Sequence, residues 1–373
     1  MVDPRSQIRQ IVRSLEPYTV PGHLAPVKLN QNENPFDLPE DLKKAILDRF
    51  LTEPWNRYPD AHPVELTNAI AESLGVQARQ IIISNGSNEL IYTIMMSTVE
   101  PGVKVFIPTP TFSLYEKTVR ILGGEVIDAP MHHDLSFDPG AILRSIEKEN
   151  PALVVLVTPH SPTAQVLPPE ALDDIISASR GLVIIDEAYI DFTTHPSALK
   201  YLQTHRNVIV LRTFSKAFAF AGVRIGFLVT SAELREELMK TKLPFAVNRF
   251  SMLAAQEVLK HQDLVREHIQ TIVAERERVF NALRQMDHVE THPSQTNFLI
   301  FRTQYAAQVL FNELLARGVL VRDVSSYPML ERMLRVTIGS SEENDRFLEA
   351  LKSSLSYLNN LRRRDVNEHR CLH

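Results

Sequence analysis

Cysteine is nearly missing from this chain: its 373 residues include one, Cys371, close to the C-terminal end. A single thiol excludes a disulfide framework or a cysteine-built zinc site within one chain, and it suits a reducing compartment. Long apolar runs are missing too. Crossing a bilayer as a helix takes roughly 20 apolar residues in a row, and the longest stretches here, such as Ala152–Val157, have the length of a strand. The opening Met1-Val2-Asp3-Pro4-Arg5 has none of the apolar core of a signal peptide, so a cytoplasmic location is expected. Neither sign of charge dominates: 40 Lys and Arg against 45 Asp and Glu leave a formal charge of −5. That balance favours neither nucleic acid nor an acidic membrane surface as partner. No phosphate-binding loop of the form G-x-x-x-x-G-K-[ST] occurs, which sets nucleotide hydrolysis aside despite an Asp-Glu pair after an apolar run. A metal centre is not expected either.

What the chain does have is ordinary globular composition, 44% hydrophobic and 23% charged, at a length that accommodates more than one packed unit. Short β-branched runs alternate with amphipathic stretches through its middle. Ile81–Ile83, Val103–Ile107, Leu153–Val157, Leu182–Ile185 and Val208–Leu211 read as strands, and Arg224–Val229 adds another. Asn88–Thr98 and Pro168–Ser179 read as helices between them. Continuous apolar strands separated by helices predict an α/β fold, a mostly parallel sheet covered on both faces. After Ser251 the pattern changes to a long charged helix over Gln262–Gln285, strands at Asn297–Phe301 and Leu334–Ile338, and helices at Ala306–Arg317 and Glu343–Leu358. The expected division is an N-terminal arm that joins a small α+β domain (1–49), a large domain (50–260), the small C-terminal domain (261–361) and a frayed basic tail (362–373).

Chemistry gathers at the ends of the predicted strands. Lys216 follows the Val208–Leu211 run in Arg212-Thr213-Phe214-Ser215-Lys216. An α/β sheet binds ligands at that edge, and a lysine desolvated there becomes an amine nucleophile. Arg224, flanked by Gly222 and Gly226, could hold a phosphate together with Ser215 and Thr213. Asp186 closes the Leu182–Ile185 run, and a carboxylate emerging there needs a cation to stay ionised. A protonated pyridine nitrogen would serve; a metal-ligand or helix-cap role is the plainer alternative. At Ser84-Asn85-Gly86-Ser87-Asn88, a strand turns into a helix whose free N–H groups favour an anion, or are simply capped. Phe112, after another strand, could stack on a planar ring or be plain core.

Taken together, these segments resemble the fold-type I pyridoxal-phosphate aminotransferases, and within them the histidinol-phosphate subfamily, from about Tyr18 to Ile338. Leu211–Phe227 is the most specific match, followed by Asp186-Glu187-Ala188-Tyr189, Leu29–Pro35 and Asn56-Arg57-Tyr58-Pro59. The resemblance implies that Lys216 carries pyridoxal phosphate as a Schiff base and shuttles a proton. It implies that Asp186 pairs with the ring nitrogen, that Tyr189 hydrogen-bonds the ring oxygen and that Phe112 stacks. Ser87, Asn88, Thr213, Ser215 and Arg224 would surround the phosphate, joined by Tyr58 from the neighbouring subunit of a homodimer. Arg335 would clamp the substrate carboxylate, with Arg322, Tyr18 and Asn34 also on the substrate. The activity implied is ping-pong transfer of an amino group from histidinol phosphate to 2-oxoglutarate, in histidine biosynthesis.

One loop departs from the family pattern Asn-Pro-Thr-Gly: here it reads Ser161-Pro162-Thr163-Ala164. Ser161 replaces the asparagine that donates to the ring oxygen, and a serine hydroxyl donates over a shorter reach. An aromatic amino-acid aminotransferase and an amino-acid-phosphate decarboxylase of the same fold share the same local motifs. A non-catalytic pyridoxal-phosphate-binding protein is disfavoured because every core group is present.

Overall fold

The computed structural model describes residues 3–17 and 22–370, with side chains as far as Arg363. Its main sheet has strands Ile81–Ser84 (β1), Lys104–Phe106 (β2), Glu125–Ile127 (β3), Leu153–Val157 (β4), Leu182–Asp186 (β5), Val208–Thr213 (β6) and Gly226–Thr230 (β7). They lie in the order β1-β7-β6-β5-β4-β2-β3, all parallel except β7, which runs against both neighbours. Every residue of β4 is buried, as a parallel strand covered by helices on both faces requires. The antiparallel step from β6 to β7 needs no crossover helix. Residues 214–225 therefore stay at the sheet edge, beside the end of β5.

The predicted strand from Arg224 begins instead at Gly226, because Arg224 has φ +61° and extended backbone cannot pass through the left-handed region. Gly226 pairs with Ser84 at the edge of β1. A Cβ placed on it would lie 2.2 Å from the Ser87 nitrogen, so only glycine lets β7 pass under the turn that opens helix Ser87–Thr98.

A second, antiparallel sheet has strands Val289–Thr291 (β8), Phe298–Thr303 (β9), Arg322–Asp323 (β10) and Met333–Thr337 (β11), in the order β10-β11-β9-β8. Helices Gln262–Arg284, Ala307–Ala316 and Ser341–Arg370 pack around it, burying Ile272, Val279, Leu314 and Leu351. Near the N-terminus, Val27–Lys28 pairs in parallel with Val319–Leu320, and Leu29 joins the same core. Helix Glu40–Leu51 packs elsewhere: Leu42 and Ile46 sit in the cluster that covers β1 and β7. The chain thus changes partners about ten residues before the expected boundary at 49.

The tail expected to fray from residue 362 continues as helix to Arg370. After Gly339 the sequence holds neither glycine nor proline to end a helix, and the Arg362 guanidinium donates to the Gln304 amide at 2.8 Å. Among the described residues no helix is long and apolar enough to cross a membrane. Because the Gly226 clash is with backbone, Gly226→Ala should destabilise the protein by about 2 kcal/mol or more. Denaturant unfolding would measure this; an unchanged midpoint would contradict the packing argument.

Candidate active site

The edge formed by the ends of β5 and β6 opens into a cavity of about 280 Å³. Lys216, Asp186, Tyr189, Ser87, Asn88, Phe112, Ser161, Thr213, Ser215, Arg224, Arg322 and Arg335 all line it, so residues far apart in sequence converge there.

Lys216 Nζ donates to the Gln31 carbonyl at 3.0 Å and lies 5.8 Å from the centre of the Tyr189 ring. Burial, helped by the nearby Arg335 and Arg224 cations and opposed by Glu33, lowers its pKa to about 7. Near neutral pH a substantial share is therefore neutral amine, the form that attacks a carbonyl or accepts a proton.

Asp186 ends β5. Its Oδ2 accepts from Tyr115 Oη at 2.7 Å and its Oδ1 from the Ala188 N–H at 3.0 Å. Both donors are neutral. Burial raises the carboxyl pKa, and these hydrogen bonds only partly offset it. The Tyr115 hydroxyl is itself pushed well up by burial and then by Asp186, so it stays a donor. Tyr189 accepts from Asn32 Nδ2 at 2.9 Å, and Ser161 lies close enough to lower its pKa. The shorter serine thus still reaches the group expected to contact the ring oxygen. Burial raises the Tyr189 pKa, against the pull of Arg335.

The anion cradle is built from backbone as much as side chain. Ser87 and Asn88, which line the cavity, open helix Ser87–Thr98, and the free N–H groups of a helix's first turn favour an anion. Arg224 Nη1 donates to Ser215 Oγ at 3.2 Å, and the Ser215 N–H to Thr213 Oγ1 at 3.1 Å. At Gly86 (φ +77°) a Cβ would stand 2.3 Å from Arg224 Nη2, so glycine here serves both the turn and the arginine's approach. Across the cavity, Arg322 and Arg335 are paired residues on β10 and β11. Arg335 lies 5.1 Å from the Phe298 ring and donates to the Asn30 carbonyl at 3.3 Å. Cross-strand partners project from the same face, where like charges repel, so this wall favours an anionic ligand.

Other expected residues lie apart from the cavity. Asn34 donates to the Ala217 carbonyl at 3.0 Å and accepts from the Phe36 N–H, which braces the lysine loop from behind. Tyr58 is 80% exposed and stacks on Phe245 outside the cavity. Tyr18 lies outside the described residues. Sequence reasoning missed Asn32, Tyr115 and Tyr327, although Asn32 stands in the same motif as Asn34. It has φ +55°, and that turn breaks the alternation that would have sorted the motif's asparagines by face. Tyr115 follows Phe112 at a helical spacing of three, the one signal that could have found it. The replacement at Ala164 has φ +65°, which explains why glycine is usual at that position.

The donor set fits a planar aromatic cofactor bearing a phosphate: an amine of lowered pKa, a buried carboxylate needing a cation, hydroxyls between them and an anion cradle at one end. The family model for aminotransferase classes I and II matches residues 25–351, and the chain belongs to that family. It is a pyridoxal-phosphate-dependent transferase. Its relatives narrow the similarity further. The histidinol-phosphate aminotransferase of Chlorobaculum tepidum is 48% identical over 339 residues, 91% of this chain and 97% of that protein. The enzyme of that name from Chlorobaculum parvum is 46% identical over 94% of this chain and 99% of its own length. Among solved structures, the histidinol-phosphate aminotransferase of Sinorhizobium meliloti in complex with pyridoxal-5'-phosphate superposes with a TM-score of 0.86 at 25% identity, covering 95% of this chain and 98% of that one.

Since only the neutral amine reacts, acetylation of Lys216 in the cofactor-free protein should rise with pH through about 7 and then level off. Peptide mass spectrometry would follow it. A rate still climbing at pH 10 would show an ordinary, solvated lysine.

Proposed function

We propose that the chain transfers the amino group of histidinol phosphate to 2-oxoglutarate. The observation that carries this reading is the Arg322–Arg335 pair facing Lys216 across the cavity, since both the donor and the acceptor bring anionic groups. The names of its relatives point the same way. Lys216 would hold the cofactor covalently and, as a free amine, would accept the donor's Cα proton; its lowered pKa favours the neutral amine that this task needs. Bound pyridoxal phosphate supplies the electron sink. Asp186 would hold the charge of the ring nitrogen, Tyr189 and Ser161 would hydrogen-bond the ring oxygen, and Phe112 would lie against the ring. Ser87, Asn88, Thr213, Ser215 and Arg224 would grip the phosphate, and Arg335 would orient the donor toward Lys216.

The working form is a homodimer in which Tyr58 reaches the partner's phosphate site. Its exposure supports this, as does the neighbouring exposed Trp55, 67% accessible: large apolar side chains left bare on one surface mark an interface. The small domain is formed by the N-terminal segment, up to about Pro39, with residues 261–361. Arg322, and with it Tyr18, serves the donor's distal anion.

A panel of amino donors with 2-oxoglutarate tests the reaction. Glutamate formation should be fastest with histidinol phosphate. A preference for aromatic amino acids, or release of CO2 in place of amino transfer, would contradict the proposal. Lys216→Ala should lose the covalent cofactor and at least about a thousandfold in rate. Mixing inactive Lys216→Ala with weakened Tyr58→Ala should restore activity, because a hybrid dimer contains one site with both native groups. No recovery on mixing would rule out a shared site.

A further inference from the structure

Next to Ser161 stands a fully buried histidine for which the reaction has no use. His160 lies behind the cavity wall, its ring edge-on to Phe137 at 5.2 Å. Its backbone closes the loop on itself: the His160 N–H donates to the Gln165 carbonyl at 2.7 Å and its carbonyl accepts from the Ala164 N–H at 2.9 Å. The ring links that loop to another. Nδ1 lies 2.8 Å from Thr163 Oγ1 and 3.4 Å from the Thr163 backbone nitrogen, while Nε2 lies 3.2 Å from Thr111 Oγ1. A backbone N–H can only donate, so Nδ1 accepts and the ring proton sits on Nε2, directed at Thr111. Thr111 in turn donates to the Pro108 carbonyl. The relay is complete with a neutral imidazole, and burial keeps it neutral by lowering the pKa to about 3.

We infer that His160 is a positioning residue, which ties the loop bearing Phe112 to the loop bearing Ser161 and so sets the gap between the ring's stacking wall and its oxygen contact. The neighbours in sequence carry the argument: Thr111 precedes Phe112, and His160 precedes Ser161. Both following residues line the cavity, on loops that leave the neighbouring strands β2 and β4, whose pairing runs only to Phe106 and Val154 and does not reach either loop. The ring atom that crosses between the loops is Nε2. A side chain that satisfies only Thr163 would leave the second loop unfastened.

This distinguishes two variants. In His160→Gln the amide reaches as far as Nε2 did and can donate to Thr111; in His160→Asn it can replace only the Nδ1 contact. The inference rests on the cofactor site and not on the donor's identity, so the main readout is the visible absorption of the cofactor-loaded enzyme without donor, titrated with pH. His160→Gln should keep the wild-type midpoint. His160→Asn should shift it and lower kcat about tenfold, with the donor KM nearly unchanged, as expected of groups displaced by a fraction of an ångström. Thr111→Val cuts the same link from the other loop and should reproduce the Asn result, which covers the case of an Asn variant that does not fold. If Asn and Gln behave alike, or if both Asn and Val lower thermal stability while leaving midpoint and kcat in place, His160 is packing only and the inference falls. A wild-type protein with no visible band would instead refute the site reading, and the inference with it.

Discussion

A carboxylate held away from water is the constraint on which the rest of the site depends. Asp186 ends a buried parallel strand, where an isolated charge would cost several kcal/mol. Its donors, Tyr115 and the Ala188 N–H, stabilise the ion without neutralising it. Lys216 faces the converse problem, a cation in the same desolvated pocket beside two guanidinium groups. Each group is pushed toward its uncharged form. On the proposed reading, a bound ring with a cationic nitrogen for the aspartate and a carbonyl carbon for the amine would relieve both at once.

The neighbouring acid shows how that arrangement is isolated. Glu187 follows the last residue of β5, and its carboxylate meets different partners. It accepts from Arg212 Nε at 2.9 Å, Ser197 Oγ at 2.8 Å and the Ala198 N–H at 2.6 Å. One carboxylate of the Asp-Glu pair is therefore matched by a protein cation, which fixes the strand end, while the other meets only neutral donors. Farther out, Arg276 on the long helix donates to the carbonyls of Phe192 and Thr296 at 3.0 Å each, pinning the segment after Tyr189 to the second sheet.

Much of this was legible in the sequence because it follows from strong local signals. Continuous apolar runs marked β4, β5 and β6, and a polar residue closing each run marked the edge where Asp186 and Thr213 emerge. The family resemblance then assigned roles that position alone left open. What escaped was set by backbone in the left-handed region or by distance in sequence. Asn32 turns where Asn34 was expected to face the substrate, Arg224 delays a strand by two residues, and Tyr115 reaches Asp186 across 71 positions. The relay through His160 was equally invisible, since it joins loops 49 residues apart through a side chain that reads as ordinary core.

Asp186 is a desolvated carboxyl group whose two protein partners are neutral donors. Carbon-13 labelling of aspartate, with the Asp186 signal assigned by Asp186→Asn, tests this most directly. In the cofactor-free protein the carboxyl should titrate above the ordinary aspartate range, because burial raises its pKa. With pyridoxal phosphate bound it should stay ionised to well below that range, since a cationic partner favours the charged form. The same titration with and without the cofactor would contradict the account.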